Sequence, residues 1–170
     1  MSKLIPLTKG QFAIVDDEDF EWLSHWKWQA HSYPNNRRKF AARRSTSIGS
    51  QIDGTRKGIN LFMHRMILSP PPGFYIDHKN NNPLDNRREN LRICTCEQNA
   101  INWDRPQRIL PRGVYQDRRG FRATIRFANG TRRSLGTFST PADAAKAYNA
   151  AAKAYHGEFA RLNCIEVTKE

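Results

Sequence analysis

The chain has 170 residues, 38% of them hydrophobic and 11% aromatic, enough to bury ordinary cores in one domain or two small ones. Its 28 Lys and Arg outnumber 16 Asp and Glu, a formal charge of +12 at pH 7, so a polyanion is the expected partner: basic side chains on phosphates release condensed counterions. Cys94, Cys96 and Cys164 form neither an even disulfide framework nor a four-ligand zinc spacing, no apolar run approaches the roughly 20 residues of a membrane span, and Met1–Pro6 lacks the apolar stretch of a signal peptide. These features predict a soluble, reduced, intracellular protein without a membrane segment.

The charge is zoned. Residues 1–34 are slightly acidic, whereas 35–58 hold seven basic side chains and one acid. A strand is predicted over Gln11–Val15, followed by a short helix from Asp16 to about His25, because acids in a first turn suit the helix dipole. Trp22, Trp26 and Trp28 crowd together as a small apolar core. Lys27–Tyr33 and Lys39–Arg43 read as a hairpin around Pro-Asn-Asn, and the Ser/Gly/Thr-rich stretch Arg44–Gly58 reads as a flexible basic loop suited to touching phosphate. Residues 1–58 are therefore expected to form an N-terminal α+β lobe facing the polyanion.

Residues 59–103 form the next expected unit: a strand Ile59–Met63, a helical turn from His64, a break at Pro70–Gly73, and a polar block from Asp77 to Asn102. Within it Thr95-Cys-Glu-Gln98 is a capping box, which places Asn99 in the second turn of a short helix. Residues 104–112, with two prolines and three arginines, read as an extended basic linker. Beyond it Val114–Asp117 is a predicted strand. Phe121, Ala123, Ile125 and Phe127 alternate with Arg122, Thr124 and Arg126, Asn129-Gly130 turns the chain, and Thr131–Phe138 returns. Thr140-Pro-Ala-Asp opens a helix that Gly157 closes, with small alanines toward the sheet. The fold class is α+β, ending in a three-stranded antiparallel sheet packed on one helix over 113–163.

Hydrolysing a phosphodiester needs a water nucleophile, a base for its proton, and positive charge against the developing anion. Asp77 and Asn99 offer a carboxylate and an amide oxygen, hard ligands suited to Mg2+. His78, with an ordinary pKa near 6.5, suits general-base work. On a regular strand His78 points away from Asp77, so the chain must bend there to bring both onto one phosphate. Arg87, Arg88 and Arg92 read as phosphate clamps rather than reacting groups.

The stretch from Asp77-His78 through Asn-x-Asn-Pro-x-Asp-Asn-Arg to Asn90-Leu-Arg and Thr95 resembles the HNH (ββα-metal) endonucleases, particularly the phage and intron-encoded homing type. The resemblance implies a small ββα-metal domain over 59–103, His78 as base, Asp77 and Asn99 on Mg2+ or Mn2+, and Asn90 fixing the loop and the histidine. Met63-His64-Arg65 resembles a short segment that precedes the motif in the family, which adds His64 to the catalytic residues. Asn99 stands where the eponymous pattern has a second histidine, and no structural zinc is expected because the cysteine pairs of some members are absent.

The face carrying Arg122, Thr124 and Arg126, with Arg132 and Ser134 on the returning strand, suits a sheet lying in a DNA major groove. Arg112-Gly-Val-Tyr115, Phe121–Arg126, Leu135-Gly-Thr-Phe138, Ala144–Tyr148 and Gly157 through Asn163 resemble the plant APETALA/ethylene-response-factor DNA-binding domain. Carried over, the resemblance places DNA contacts at Arg112, Tyr115, Arg122, Thr124, Arg126, Arg132 and Ser134. Tyr115, Phe121 and Ser134 depart from the usual arginine or tryptophan, so base specificity does not transfer. Together these features predict a site-directed endonuclease of homing type acting on double-stranded DNA, a monomer nicking one strand, in the cytoplasm of a bacterial or phage-infected cell. The alternative is a site-specific DNA-binding regulator with an inactive nuclease fold.

Overall fold

The computed structural model describes residues 1–33, 36–48, 57–102, 109–127 and 129–165, and the chain divides into two units, Met1–Cys94 and Thr95–Glu170. No described helix is long and apolar enough to cross a membrane.

In the first unit β1 (Ser2–Pro6), absent from the sequence expectation, pairs antiparallel with β2 (Phe12–Asp16). Helix α1 (Asp17–Ser24) follows, its first turn filled with Asp17, Glu18 and Asp19 as the helix dipole favours. A three-stranded sheet in the order β3 (Gln29–Tyr33), β4 (Asn36–Ile48), β5 (Lys57–Phe62) comes next. The loop expected over Arg44–Gly58 is corrected at both ends: Arg44–Ile48 pairs in register with Lys57–Leu61, so backbone ladder bonds outweigh the turn-forming composition. Residues 49–56 of that expectation lie outside the described residues, as do 103, the last of the expected 59–103 unit, and 104–108 of the linker. Helix α2 (Met63–Leu68) leads to the hairpin of β6 (Tyr75–His78) and β7 (Leu91–Cys94).

One core holds this unit together. Ile5, Val15 and Leu23 from the N-terminal elements pack with Met63, Ile67, Ile76 and Leu91. Trp28 is buried there with its indole N–H on Leu23 O at 2.9 Å, and Trp22 and Trp26 meet edge to face at its margin. The expected boundary at residue 58 therefore does not separate compact units. The reason is physical: α2 and the β6–β7 hairpin each have one apolar side to cover, and the N-terminal strands and α1 cover it. The loop after β6 is also tied to β2, where Ile14 N–H donates to Leu84 O and Asn86 N–H to Ile14 O, both at 2.8 Å.

The second unit begins with α3 (Cys96–Asn102), capped reciprocally: Gln98 N–H donates to Thr95 Oγ1 at 3.3 Å and Thr95 N–H to Gln98 Oε1 at 2.8 Å. Strands β8 (Val114–Asp117), β9 (Gly120–Arg126) and β10 (Arg132–Phe138) form an antiparallel sheet with β9 in the middle. Helix α4 (Pro141–His156) lies on it through Tyr148 and through Ala144, Ala145 and Ala152, whose short side chains allow close approach to Val114, Ala123 and Ile125. Thr140 caps α4, accepting from Asp143 N–H at 3.1 Å. The same unit anchors the end of α3: Arg112 and Arg161 donate to Ile101 O and Asn102 O at 3.2 and 3.3 Å. Helix α3, expected to close the 59–103 unit, thus belongs with the C-terminal sheet.

Candidate active site

The β6–β7 hairpin sets the site. Asp77 pairs in register with Arg92 and His78 with Leu91, so the strand runs straight through both residues and their side chains leave opposite faces. The bend expected at His78 comes later, at Asn81, whose φ of 59 turns the chain and whose N–H returns to His78 O at 2.8 Å. Asp77 and His78 are both buried. Arg92 reaches across the ladder to Asp77, with Nε and Nη2 at 2.8 and 2.6 Å from Oδ2.

His78 sits against His64 of α2, their rings 5.1 Å apart and edge to face, and His64 stacks on Phe62 at 5.6 Å. Burial lowers the His78 pKa, against which a side-chain hydrogen bond with Asn86 and the charges of Asp77 and Asp85 work; Lys39 lowers it further. Burial pushes His64 down to about 3, helped by His78 and Arg65, and its Nδ1 is buried with no hydrogen-bond partner. Both imidazoles are therefore neutral at pH 7, the state in which a histidine can accept a proton.

Asn90 clamps the loop that follows. Its amide donates to Asp85 O at 2.7 Å and accepts from Asn80 N–H at 3.0 Å, while its own carbonyl accepts from Lys79 N–H at 2.9 Å. Asp85, to which the sequence reading gave no role, is the second anchor: buried, it takes Arg87 Nε and Nη2 at 2.8 and 2.7 Å and Asn80 Nδ2 at 2.8 Å. The Arg87 hydrogen bond holds its carboxyl below the usual range. Asn80 and Asn82 close Asx turns on Asn82 N–H and Leu84 N–H, the local bonding that asparagine-rich loops favour. The only advance signal for Asp85 was its place inside the quoted motif.

The arginines divide into two groups. Arg87 is held by Asp85 and Glu89, Arg88 by Asp19 and Glu18, and Arg92 by Asp77, so each expected phosphate clamp here meets a carboxylate. Arg112 spends its guanidinium on α3, and its backbone N–H on Asn163 Oδ1 at 2.7 Å. Arg122, Arg126 and Arg132 are exposed and carry no ion pair among the described residues. Cross-strand pairing of Tyr115 with Arg122, Thr124 with Ser134 and Arg126 with Arg132 puts all six on one face. A bulge between Ser134 and Gly136 shifts the β10 register, so that Thr137 is the residue opposite Arg122.

Asn99 is half-buried on α3 of the second unit, its N–H on Thr95 O at 3.0 Å. Among the described residues no three of His, Cys, Asp and Glu converge on a metal position. Magnesium needs no such cluster, since it takes one or two protein oxygens and keeps its waters. The buried Asp77 carboxylate fits that demand in chemistry, with Arg92 as the cation it already holds.

Comparison with known proteins gives these residues a family. The chain is 27% identical over 163 residues to an uncharacterized HNH endonuclease of Acanthamoeba polyphaga mimivirus, covering 93% of this chain and 78% of that protein. It is 52% identical over 59 residues to dehydration-responsive element-binding protein 2C of Arabidopsis thaliana, 34% of this chain but only 17% of that protein. No solved structure matches the chain. Residues 69–101, which include Asp77, His78, Asn90 and Asn99, match the HNH endonuclease family, so the chain carries an HNH endonuclease domain.

Proposed function

We propose that this protein is a divalent-metal-dependent endonuclease of double-stranded DNA, with His78 as general base, Asp77 and Asn99 as metal ligands, and Asn90 and His64 fixing the loop and the imidazole. The observation that supports it most is a neutral buried imidazole next in sequence to a buried carboxylate, on a strand whose following loop Asn90 clamps. A neutral His78 takes the proton of the attacking water. Asn86, whose side chain works against burial to raise the His78 pKa, helps hold the imidazole as the proton arrives. Asp77 and Asn99 would supply the oxygens for Mg2+ or Mn2+, which would provide Lewis-acid stabilisation of the phosphate and the departing 3′ oxygen.

The arginine face of β8–β9–β10 selects the site: Arg122, Arg126 and Arg132 are exposed with no ion pair among the described residues and can fork onto phosphates or guanine edges, and Thr124 and Ser134 can read either. With one such centre per chain, a monomer nicks one strand, the chemistry of a homing-type enzyme directed to a target. One observation favours the regulator reading: Arg92 already neutralises Asp77. Incubating supercoiled plasmid with the protein and magnesium, with and without chelator, separates the two. Chelator-sensitive accumulation of open circles is expected. Persisting supercoils across several target sequences, or full activity in His78→Ala, would overturn the nuclease reading.

A further inference from the structure

Strands β3, β4 and β5 contain no Asp or Glu among their described residues, and the sheet has two unlike faces. One face packs inward through Ala30 and Ala42, and Arg44 on that side stacks over the Trp26 ring at 4.3 Å. Alternation and register put Lys39, Arg43 and Ser45 of β4 on the other face, with His31 of β3 and Asn60 and Phe62 of β5.

Two connections join this outer face to the catalytic loop. Lys39 Nζ donates to Asn81 O at 3.1 Å. A ladder of rings runs from His31 to Phe62 at 5.9 Å, from Phe62 to His64 at 5.6 Å, and from His64 to His78 at 5.1 Å. Arg43 differs from the carboxylate-held arginines near the active site: it has no ion pair among the described residues, and its Nε is buried with no hydrogen-bond partner.

We propose that the outer face of the β3–β4–β5 sheet is a second DNA-binding surface, on which Arg43 and Lys39 engage backbone phosphates of the strand that leads to His78. Charge complementarity selects the occupant, because a face with cations, hydrogen-bonding Ser45 and Asn60, and no acid among the described residues of its strands suits a phosphate backbone. Strands about 4.8 Å apart give the sheet a width of several phosphates, which recur about every 3.4 Å along the helix axis. The His31 pKa is lowered first by burial and then by the nearby charges of Arg43 and Lys9. The contacts are sequence-independent, so this surface supplies grip and register while the β8–β9–β10 face reads bases. The inference rests on the nuclease reading only for the direction in which the strand runs.

The test uses the full-length protein and a mixed-sequence 25-base-pair duplex, followed by fluorescence anisotropy between about 50 and 200 mM salt. Arg43→Gln is expected to weaken binding evenly across sequences and to lower the slope of log affinity against log salt by about one. Asn60→Glu, at an exposed position, sets a carboxylate on the same face and should weaken binding even where Arg43→Gln folds poorly. Ser24→Glu, exposed at the end of α1, makes the same charge change as Asn60→Glu at a control position. The His31 pKa, followed by NMR, should rise when DNA saturates the protein. Affinities and slopes of Arg43→Gln and Asn60→Glu indistinguishable from Ser24→Glu would overturn the surface, and equal competition by folded RNA would overturn DNA as its occupant. A wild-type protein that leaves plasmid uncut yet shows the slope change sinks the nuclease reading and keeps this one.

Discussion

Replacing Arg88 by Met tests whether α1 and the turn before β7 are held together by a buried charge pair. Asp19 is 1% exposed and takes Arg88 Nε at 2.8 Å and Nη2 at 2.7 Å, with the Trp22 indole N–H on the same carboxylate at 3.1 Å. Removing one partner of a buried pair costs about 3–5 kcal/mol, since the remaining charge stays in low dielectric without its counter-ion. The Arg88 side chain is 45% exposed, so water screens its end of the pair and the low end, about 3 kcal/mol, is expected. Asp19→Asn should cost less, about 1 kcal/mol, because it removes the buried charge itself while Arg88 retains Glu18 at 2.7 Å and solvent. Urea unfolding followed by tryptophan fluorescence reads the difference: at a slope near 1.5 kcal/mol per molar, Arg88→Met should lower the midpoint by about 2 M. A drop under about 0.5 M, or equal costs for the two variants, would refute the reasoning that burial of the carboxylate sets the cost.

Acid should destabilise the first unit through its histidines. The folded pKa of His64, about 3, lies below the unfolded value near 6.5, so the unfolded chain binds more protons in that window and stability falls as pH drops through it. His64 alone should remove about 2.7 kcal/mol at pH 4.5, and His64→Gln should flatten the urea midpoint between pH 6.5 and 4.5; an unchanged slope contradicts the assignment. Asn90→Ala strips partners from Asp85 O and Asn80 N–H, at about 1–3 kcal/mol, and should speed hydrogen exchange at the Asn80 amide together with a loss of plasmid nicking. Nicking lost with the Asn80 amide still protected would remove Asn90 from the loop-fixing role. In Gly113→Ala the new Cβ would lie 2.1 Å from Tyr148 Cδ2 and 2.7 Å from Thr124 O, at a φ of 76. That variant should abolish site-selective binding and melt the second unit early, while the His64 and His78 NMR signals stay native-like; perturbed histidine signals would count against it.

Local chemistry was legible in the sequence wherever neighbours in the chain do the work. The Thr95–Gln98 capping box, the Thr140 cap, the alternation from Phe121 to Phe127 and the acidic first turn of α1 depend on residues a few positions apart, and each formed as read. The segment 69–101 that matches the HNH endonuclease family was legible for a related reason, since its pattern is written into one short stretch of chain. Tertiary structure decided everything that depends on a partner far along the chain. The same residue type became an exposed cation at Arg122 and a carboxylate's counter-ion at Arg88, because Asp19, 69 positions away, folds against the second and no ion pair forms at the first among the described residues. Length and pattern could not foresee β1, the strand continuation through Ile48, or the core shared by residues on both sides of position 58, since burial is a property of the elements that meet and not of either alone. The sequence by itself determined which residues lie in the HNH-matching segment; packing decided which basic side chains meet a carboxylate and which stay exposed.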